Sequence, residues 1–354
     1  MRVPSTPEQR REVAPSAEKI LHRAARMEDA VREFREQRAR KRGFVPTVIP
    51  YAGYGAPGWV RVLGRVVLTR EGGRKGRASV RGWRSFTSVA VNDDTVVITV
   101  GDREHRVQAD RGGVIDVRLD SQLPIGWQTV SIRSDDSQSA PSPAVEAPVY
   151  IVDPDAGFGI VSDIDDTVMV TALPRPFLAA WNTFVLDEHA RTPTPGMAVL
   201  YDRLARERPG APIIYLSTGA WNVAPTLTRF LSRNLYPRGP LLLTDWGPTH
   251  DRFFRSGRQH KVDSLKQLTA EFPYIKWLLV GDDGQHDEEI YGQFAMAHPG
   301  RVTAVAIRQL SPGEAVLAGG RAKAEDWSSK TDVPWIYAGD GADLAAELKK
   351  LDLL

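Results

Sequence analysis

The sequence predicts an α/β fold: a parallel sheet covered by helices, preceded by an antiparallel β-sandwich and, before that, a basic amphipathic helix. Three observations carry this reading. After Val152, apolar runs of four or five residues alternate with helical segments, the pattern of strands buried on both faces. Between Trp59 and Ile151 the hydrophobic period is two, with turn residues between short runs. In the first 45 residues apolar positions recur every three or four.

The composition fits this picture. With 354 residues, 42% hydrophobic and 25% charged, the chain has the length of two domains and some extra, and it is neither disordered nor fibrous. A net charge of +2 gives no reason to expect nucleic acid as a partner. The absence of cysteine excludes a disulfide framework, a thiolate zinc site and a cysteine nucleophile, and is compatible with a reducing cytosol. No apolar run approaches 18 residues, and the first residues lack the apolar core of a signal peptide.

In order along the chain, residues 1–45 hold 12 Lys/Arg against 7 Asp/Glu. Ile20, Leu21, Ala24, Ala25, Met27, Val31 and Phe34 mark one helical face, and Arg35, Arg38, Arg40, Lys41 and Arg42 crowd its end. Three readings stand open for it: a helix packed on the body, a helix leaning on anionic lipid, or a partner helix. Residues 46–58, PTVIPYAGYGAPG, read as a linker. Residues 59–151 read as the sandwich; His105 there reads as an ordinary surface residue. Ser134 to Pro148 reads as a second linker. Residues 152–354 read as the α/β domain. Its strands are Phe158–Ser162, Ile213–Leu216, Leu241–Leu243, Trp277–Val280 and Val302–Ile307. Its helices begin at Thr194–Pro195, Pro225, Lys261 and Asp287, and Trp335–Tyr337 with Ala342–Leu351 adds a last strand and helix.

In such folds ligands bind beyond the carboxyl ends of the strands, so the residues there matter most. The first strand delivers Asp163-Ile164-Asp165-Asp166-Thr167, the second Ser217-Thr218-Gly219, and a helix start His260-Lys261. A later strand delivers Gly281-Asp282-Asp283, with Asp287 one turn on. Gathered carboxylates repel, and a hard divalent cation neutralises them. A lysine and a hydroxyl beside that cation suit an anionic oxygen ligand, so the set describes a site for moving a phosphoryl group.

An apolar strand with D-x-D-x-T, then a strand ending in Ser, a Lys, and G-D-x-x-x-x-D resembles the ordered signature of haloacid dehalogenase-like phosphatases. The wording GFGIVSDIDDTVMVT, PTPGMAVLYDRL, IIYLSTGAWNV, HKVDSL and LLVGDDGQHDEEIY is similar to the actin-patch-type phosphatidate phosphatases, relatives of the lipins, over about Gly157 to Leu310. The resemblance implies a Rossmann-like parallel sheet of the haloacid dehalogenase type. It implies Asp163 as nucleophile, Asp165 as acid and base, and Thr167 as the residue that caps and orients the loop. Ser217 would bind a phosphoryl oxygen, Lys261 would offset charge, and Asp287 would orient Lys261 or a metal-bound water. Mg²⁺ would be held by Asp163, Asp282 and the Asp165 carbonyl. Thr218 stands as an alternative to Ser217, and Asp283 as a competitor of Asp282. His260 and His286 flank the site as bystanders or substrate contacts. Arg252, Arg255 and Arg258 around Phe253–Phe254 stand between headgroup grip and solvated loop.

Between Thr167 and Ile213 there is no room for a large cap domain, which leaves the site open to a large or membrane-embedded substrate. The apolar residues from Pro176 to Trp181 and from Phe184 to Leu186 suit either core or lipid contact. The expected activity is therefore Mg²⁺-dependent hydrolysis of phosphatidate to diacylglycerol and phosphate, by a cytoplasmic protein making peripheral contact with the anionic inner face of the membrane. A phosphatase for a soluble phosphomonoester is the alternative on the same residues. A scaffold with an incidental phosphatase-like site is the alternative from another class.

Overall fold

A computed structural model describes residues 30, 33–70, 89–91, 93–136, 138–170, 191–244, 250–284, 286–317, 320 and 327–354, with backbone alone for 250–256. Expectations placed on residues 171–190, on the side chains of Arg252, Phe253, Phe254 and Arg255, and on most of the leading helix lie outside them. Two large sheets organise the described residues.

The first sheet has nine strands: β1 (Phe44–Pro50), β2 (Gly53–Ala56), β3 (Gly58–Arg70), β4 (Val89–Ala90), β5 (Thr95–Val100), β6 (Arg103–Gln108), β7 (Val114–Ser121), β8 (Gly126–Ser134) and β9 (Val145–Ile151). The main order is β1-β3-β2-β9-β8-β5-β6, with β4 and β7 also on β3. All the pairings are antiparallel except β2 with β9. β3 shows why. Its even residues Val60, Val62, Val66 and Leu68 enter the sheet's own core. Its odd residues Trp59, Leu63 and Val67 enter a second core, continuous with that of the parallel sheet. A strand alternates its side chains between faces, so this one serves two layers.

The expected linker at residues 46–58 is therefore wrong: those residues form β1, β2 and the start of β3. Proline is tolerated in β1 because it stands at the end of the sheet order, where one row of N–H groups needs no partner. The glycines of β2 answer to close approach: a Cβ on Gly53 or Gly55 would stand 2.3 or 2.4 Å from a β3 carbonyl oxygen. The linker expected at Ser134–Pro148 shortens to the stretch between β8 and β9, since its two ends are strand. His105 is half-buried on β6 rather than fully exposed. Of the leading helix, residues 33–40 are helical. Phe34, expected on the packed face, is 63% exposed, while Arg40 is tied to Glu36 and Asp136 at 2.8 and 2.5 Å.

The second sheet is parallel: β14-β13-β10-β15-β16-β17. Its strands are β10 (Phe158–Asp163), β13 (Ile213–Ala220), β14 (Leu241–Thr244), β15 (Lys276–Asp282), β16 (Val302–Arg308) and β17 (Trp335–Ala338), and a small ribbon pairs β11 (Met169–Val170) with β12 (Thr192–Pro193). All six residues of β10 are buried, as a central strand covered on both faces requires. Its helices are α1 (Met197–Glu207), α2 (Ala224–Arg233), α3 (His250–Glu271), α4 (Asp287–Ala297), α5 (Pro312–Leu317) and α6 (Gly341–Lys350), with a 3₁₀ turn at Trp221–Val223. α1 buries Met197, Leu200, Tyr201 and Leu204, the face the spacing predicts; it starts at Met197, two residues later than Pro195, after Gly196 at φ 72°. α3 starts well before Lys261. Asp340 caps α6 by accepting from Ala342 N and Asp343 N. Among the described residues, no helix is long and apolar enough to cross a membrane.

Candidate active site

The strand registers line up one edge. Asp163 pairs with Leu216, one residue before Ser217, and Ser162 pairs with Val280, two before Asp282. β10, with β13 on one side and β15 on the other, is the point where chain order reverses.

After Asp163 the backbone turns sharply. Val168 N and Met169 N both donate to Ile164 O, and Asp166 N donates to Met169 O. Asp166 takes φ 58°, a left-handed conformation that costs a side-chain-bearing residue about 1 kcal/mol. The turn is held from outside by Arg308, at the end of β16, whose guanidinium donates to Asp166 O at 2.7 Å while also bonding Glu314 at 2.6 Å. The Thr167 hydroxyl, expected to cap this loop, has no hydrogen-bond partner among the described residues; the backbone bonds close the loop instead.

Four carboxylates and one ammonium meet here, all buried. Lys261 reaches from the middle of α3 and sets its Nζ 2.6 Å from Asp163 Oδ1 and 2.5 Å from Asp287 Oδ1. Asp287 opens α4, where an anion is favoured, and its Oδ2 accepts weakly from Asp282 N at 3.4 Å. Asp282 Oδ1 accepts from Gly284 N at 2.7 Å. Ser217 Oγ donates to Asp165 Oδ2 at 2.9 Å and accepts from Gly219 N at 3.0 Å. Ser217 is thus the hydroxyl in contact with the carboxylates. Thr218 offers its backbone carbonyl to Thr244 Oγ1. Asp283 turns aside, accepting from Leu310 N at 2.8 Å.

The electrostatics follow from burial. Desolvation pushes the Asp163 carboxyl well above its ordinary range, against the pull of Lys261. Asp282 is pushed well up by burial and then by Asp287. Asp165 rises to about 6, through burial opposed by the Ser217 hydrogen bond, Lys261 and Arg191. Burial pulls the Lys261 ammonium down, but Asp163 and Asp287 outweigh it and hold the group above its usual range.

Oxygens of Asp163, Asp282 and Asp287 lie within 4.8 Å of one another. Asp163 Oδ2 and Asp282 Oδ2 are buried without a hydrogen-bond partner among the described residues. Buried anionic oxygens are stable only when paired or ligating, so the donor set fits a hard cation. Lys261 engages one oxygen of Asp163 and one of Asp287, so the three carboxylates together could hold a cation through their remaining oxygens.

Some expected neighbours stand apart. His286 is exposed. Burial lowers the His260 imidazole, and it bonds backbone at Leu242, away from the carboxylates. Arg258 pairs with Glu289 at 2.6 Å. Arg308 and Arg191 escaped the sequence reading. Arg308 ends the apolar run VTAVAIR, so the rule of reading strand ends points to it as well. Arg191, 7% exposed, follows the insert and bears on Asp165 by charge, with no motif to flag it.

Residues 158–309 match the family model described as the phosphatidate phosphatase APP1 catalytic domain. Phosphatidate phosphatase APP1 of Saccharomyces cerevisiae is 26% identical over 153 residues, 43% of this chain and 26% of its own length. An uncharacterized protein of Schizosaccharomyces pombe is 25% identical over 156 residues, 44% of this chain and 25% of its own length. The chain thus spans about a quarter of the length of these relatives. A carbohydrate acetylesterase structure from Xanthomonas citri aligns over 75% of this chain and 68% of its own, at 12% identity and a TM-score of 0.28, too slight a likeness to carry an argument.

Proposed function

We propose that this chain, whose residues 158–309 belong to the phosphatidate phosphatase APP1 catalytic-domain family, is a Mg²⁺-dependent phosphatidate phosphatase. Residues 152–354 would form its phosphatase domain, of the haloacid dehalogenase type, and residues 44–151 a β-sandwich domain. The observation that carries the reading is the pairing inside the site: Lys261 grips Asp163 and Asp287, and Ser217 grips Asp165.

The carboxylate of Asp163, at the end of the buried central strand β10, would attack phosphorus in line, forming an aspartyl-phosphate as the alkoxide leaves. Asp165, two residues on, supplies the proton that the leaving alkoxide needs. A carboxyl near 6 carries that proton part of the time close to neutrality, which suits it to give the proton up and later to take one from the attacking water. Ser217 holds Asp165 in place by donating its one proton there, and would turn that donor to a phosphoryl oxygen when substrate binds. Lys261 balances the charge of nucleophile and phosphate, and Asp287 fixes the lysine. Mg²⁺, held by Asp163 and Asp282 with the Asp165 carbonyl, would neutralise the clustered carboxylates and stabilise charge on the phosphoryl oxygens.

The test is phosphate release from phosphatidate in mixed micelles beside a panel of soluble phosphomonoesters, with and without Mg²⁺. The reading expects Mg²⁺-dependent release, fastest from phosphatidate. Preference for a soluble ester would move the substrate while keeping the chemistry. Silence on every ester would leave the scaffold reading.

A further inference from the structure

The bulged end of β13 that presents Ser217 is weakly held by its own sheet. β13 pairs regularly with β14 up to Leu216–Leu242, and the register then slips before resuming at Ala220–Thr244. Residues 217–219 therefore lack a regular ladder with β14, and the Ser217 hydroxyl takes its direction from a bulge that needs support from elsewhere. Thr244 Oγ1 gives part of it, donating to Thr218 O at 2.9 Å.

The rest comes from the antiparallel sheet. Tyr51, between β1 and β2, stacks on Trp221, which directly follows the end of β13, with ring centroids 4.9 Å apart and planes within 13°. Its hydroxyl donates to Trp221 O at 3.0 Å. Both residues are buried, and Tyr51 is anchored in turn by its backbone N–H donating to Leu63 O at 3.0 Å. The same sheet also takes hold of the far end of α3, the helix that carries Lys261. Tyr54 donates to Glu271 Oε2 at 2.8 Å, and Arg61 bonds Glu271 Oε1 at 3.0 Å.

We propose that Tyr51 is a positioning residue for the phosphoryl-transfer site, holding the bulged Ser217–Ala220 end of β13 through the ring and carbonyl of Trp221. This rests on the phosphatase reading above, and it gives the antiparallel sheet a role in turnover. Tyr51 touches no reacting atom; it acts by fixing where the Ser217 hydroxyl points, and a misdirected donor loses its effect steeply with angle.

The experiment uses the full chain, Mg²⁺ and p-nitrophenyl phosphate. Tyr51→Phe removes only the hydroxyl and Tyr51→Leu also removes the stacking; each is made alone and with Ser217→Ala. We expect Tyr51→Phe to lower kcat about 3- to 10-fold with KM within about twofold, and Tyr51→Leu to cost more. In the Ser217→Ala background each change should cost less than about twofold, because the group it positions is gone. Loss by the same factor in both backgrounds, or no loss from Tyr51→Phe at an unchanged Tm, would overturn the proposal and leave Tyr51 a packing residue. The Phe variant decides the matter if the Leu variant does not fold. A wild type silent on every ester overturns the phosphatase reading and this one together, whereas an active wild type with additive losses overturns this one alone.

Discussion

At the residue scale the site is a problem of charge placement. Asp163 sits at the end of an apolar strand, 1% exposed, with one lysine to share among its acidic neighbours. Asp163→Asn keeps the shape and removes both nucleophile and charge, so activity on any phosphomonoester should fall by roughly 10⁴-fold or more. Steady-state rates with and without Mg²⁺ check it, and a variant keeping a tenth of the wild-type rate would remove Asp163 from its role. A second buried acid lies far from the site. Asp94 is 2% exposed and accepts from Ser134 Oγ at 2.6 Å. Burial raises its carboxyl to about 6, against the Ser134 bond, with Asp136 pushing further up and Arg40 pulling down. The folded state therefore holds this proton more tightly than the unfolded chain, and stability falls as pH rises from about 4 to about 6. Asp94→Asn should gain on the order of 2 kcal/mol over wild type at pH 7.5 and little at pH 4.5. Urea unfolding at both values checks it; an equal gain at both would show that the carboxyl is not the titrating group.

At the scale of elements, what was legible depended on whether one signal dominated. The parallel strands showed because each is an unbroken apolar run, and their ends then gave Asp163, Ser217 and Asp282. Lys261 was legible as part of His260-Lys261 at an expected helix start, although α3 begins at His250 and nothing in its periodicity marks its twelfth residue. β1 and β2 were misread because proline and glycine speak for turns in most settings. Here Pro46 and Pro50 sit on a strand at the end of the sheet order, and Gly53 and Gly55 are where two backbones come too close for a side chain. Those reasons are tertiary, and no local pattern states them. They predict that Gly55→Ala, whose Cβ would meet Trp59 O at 2.4 Å, forces β2 off β3 and costs about 1–3 kcal/mol. Chemical denaturation measures it, and a variant as stable as wild type would mean that β2 has room to move.

At the scale of the whole molecule, a lipid substrate requires that the protein meet a surface. Arg35, Arg38, Lys41 and Arg42 are exposed at the end of the leading helix beside exposed Phe34, while Arg40 is engaged within the fold. Each cation near an anionic bilayer is worth about 1 kcal/mol at best, within a reach of roughly 8 Å at physiological salt. Replacing those four by Ala should weaken binding to phosphatidylserine vesicles at least about tenfold at low salt, and far less at high salt. Hydrolysis of a soluble ester should stay nearly unchanged. Sedimentation at two salt concentrations checks it, and identical sedimentation of both proteins would return the helix to a packing role.

The alternation along β3 bears on where this chain can be cut. Trp59 and Leu63 lie in the same core as Phe272 and Trp277, with Trp59 and Phe272 rings 5.5 Å apart. A fragment of residues 152–354 would carry every proposed reacting group, yet it would bare that aromatic seam to water and invite aggregation. The smallest piece of this protein expected to stand as an independent unit therefore begins before Ala39, which is buried in the antiparallel sheet's core, and the boundary that composition suggests at Val152 is expected to be a seam in sequence rather than in folding.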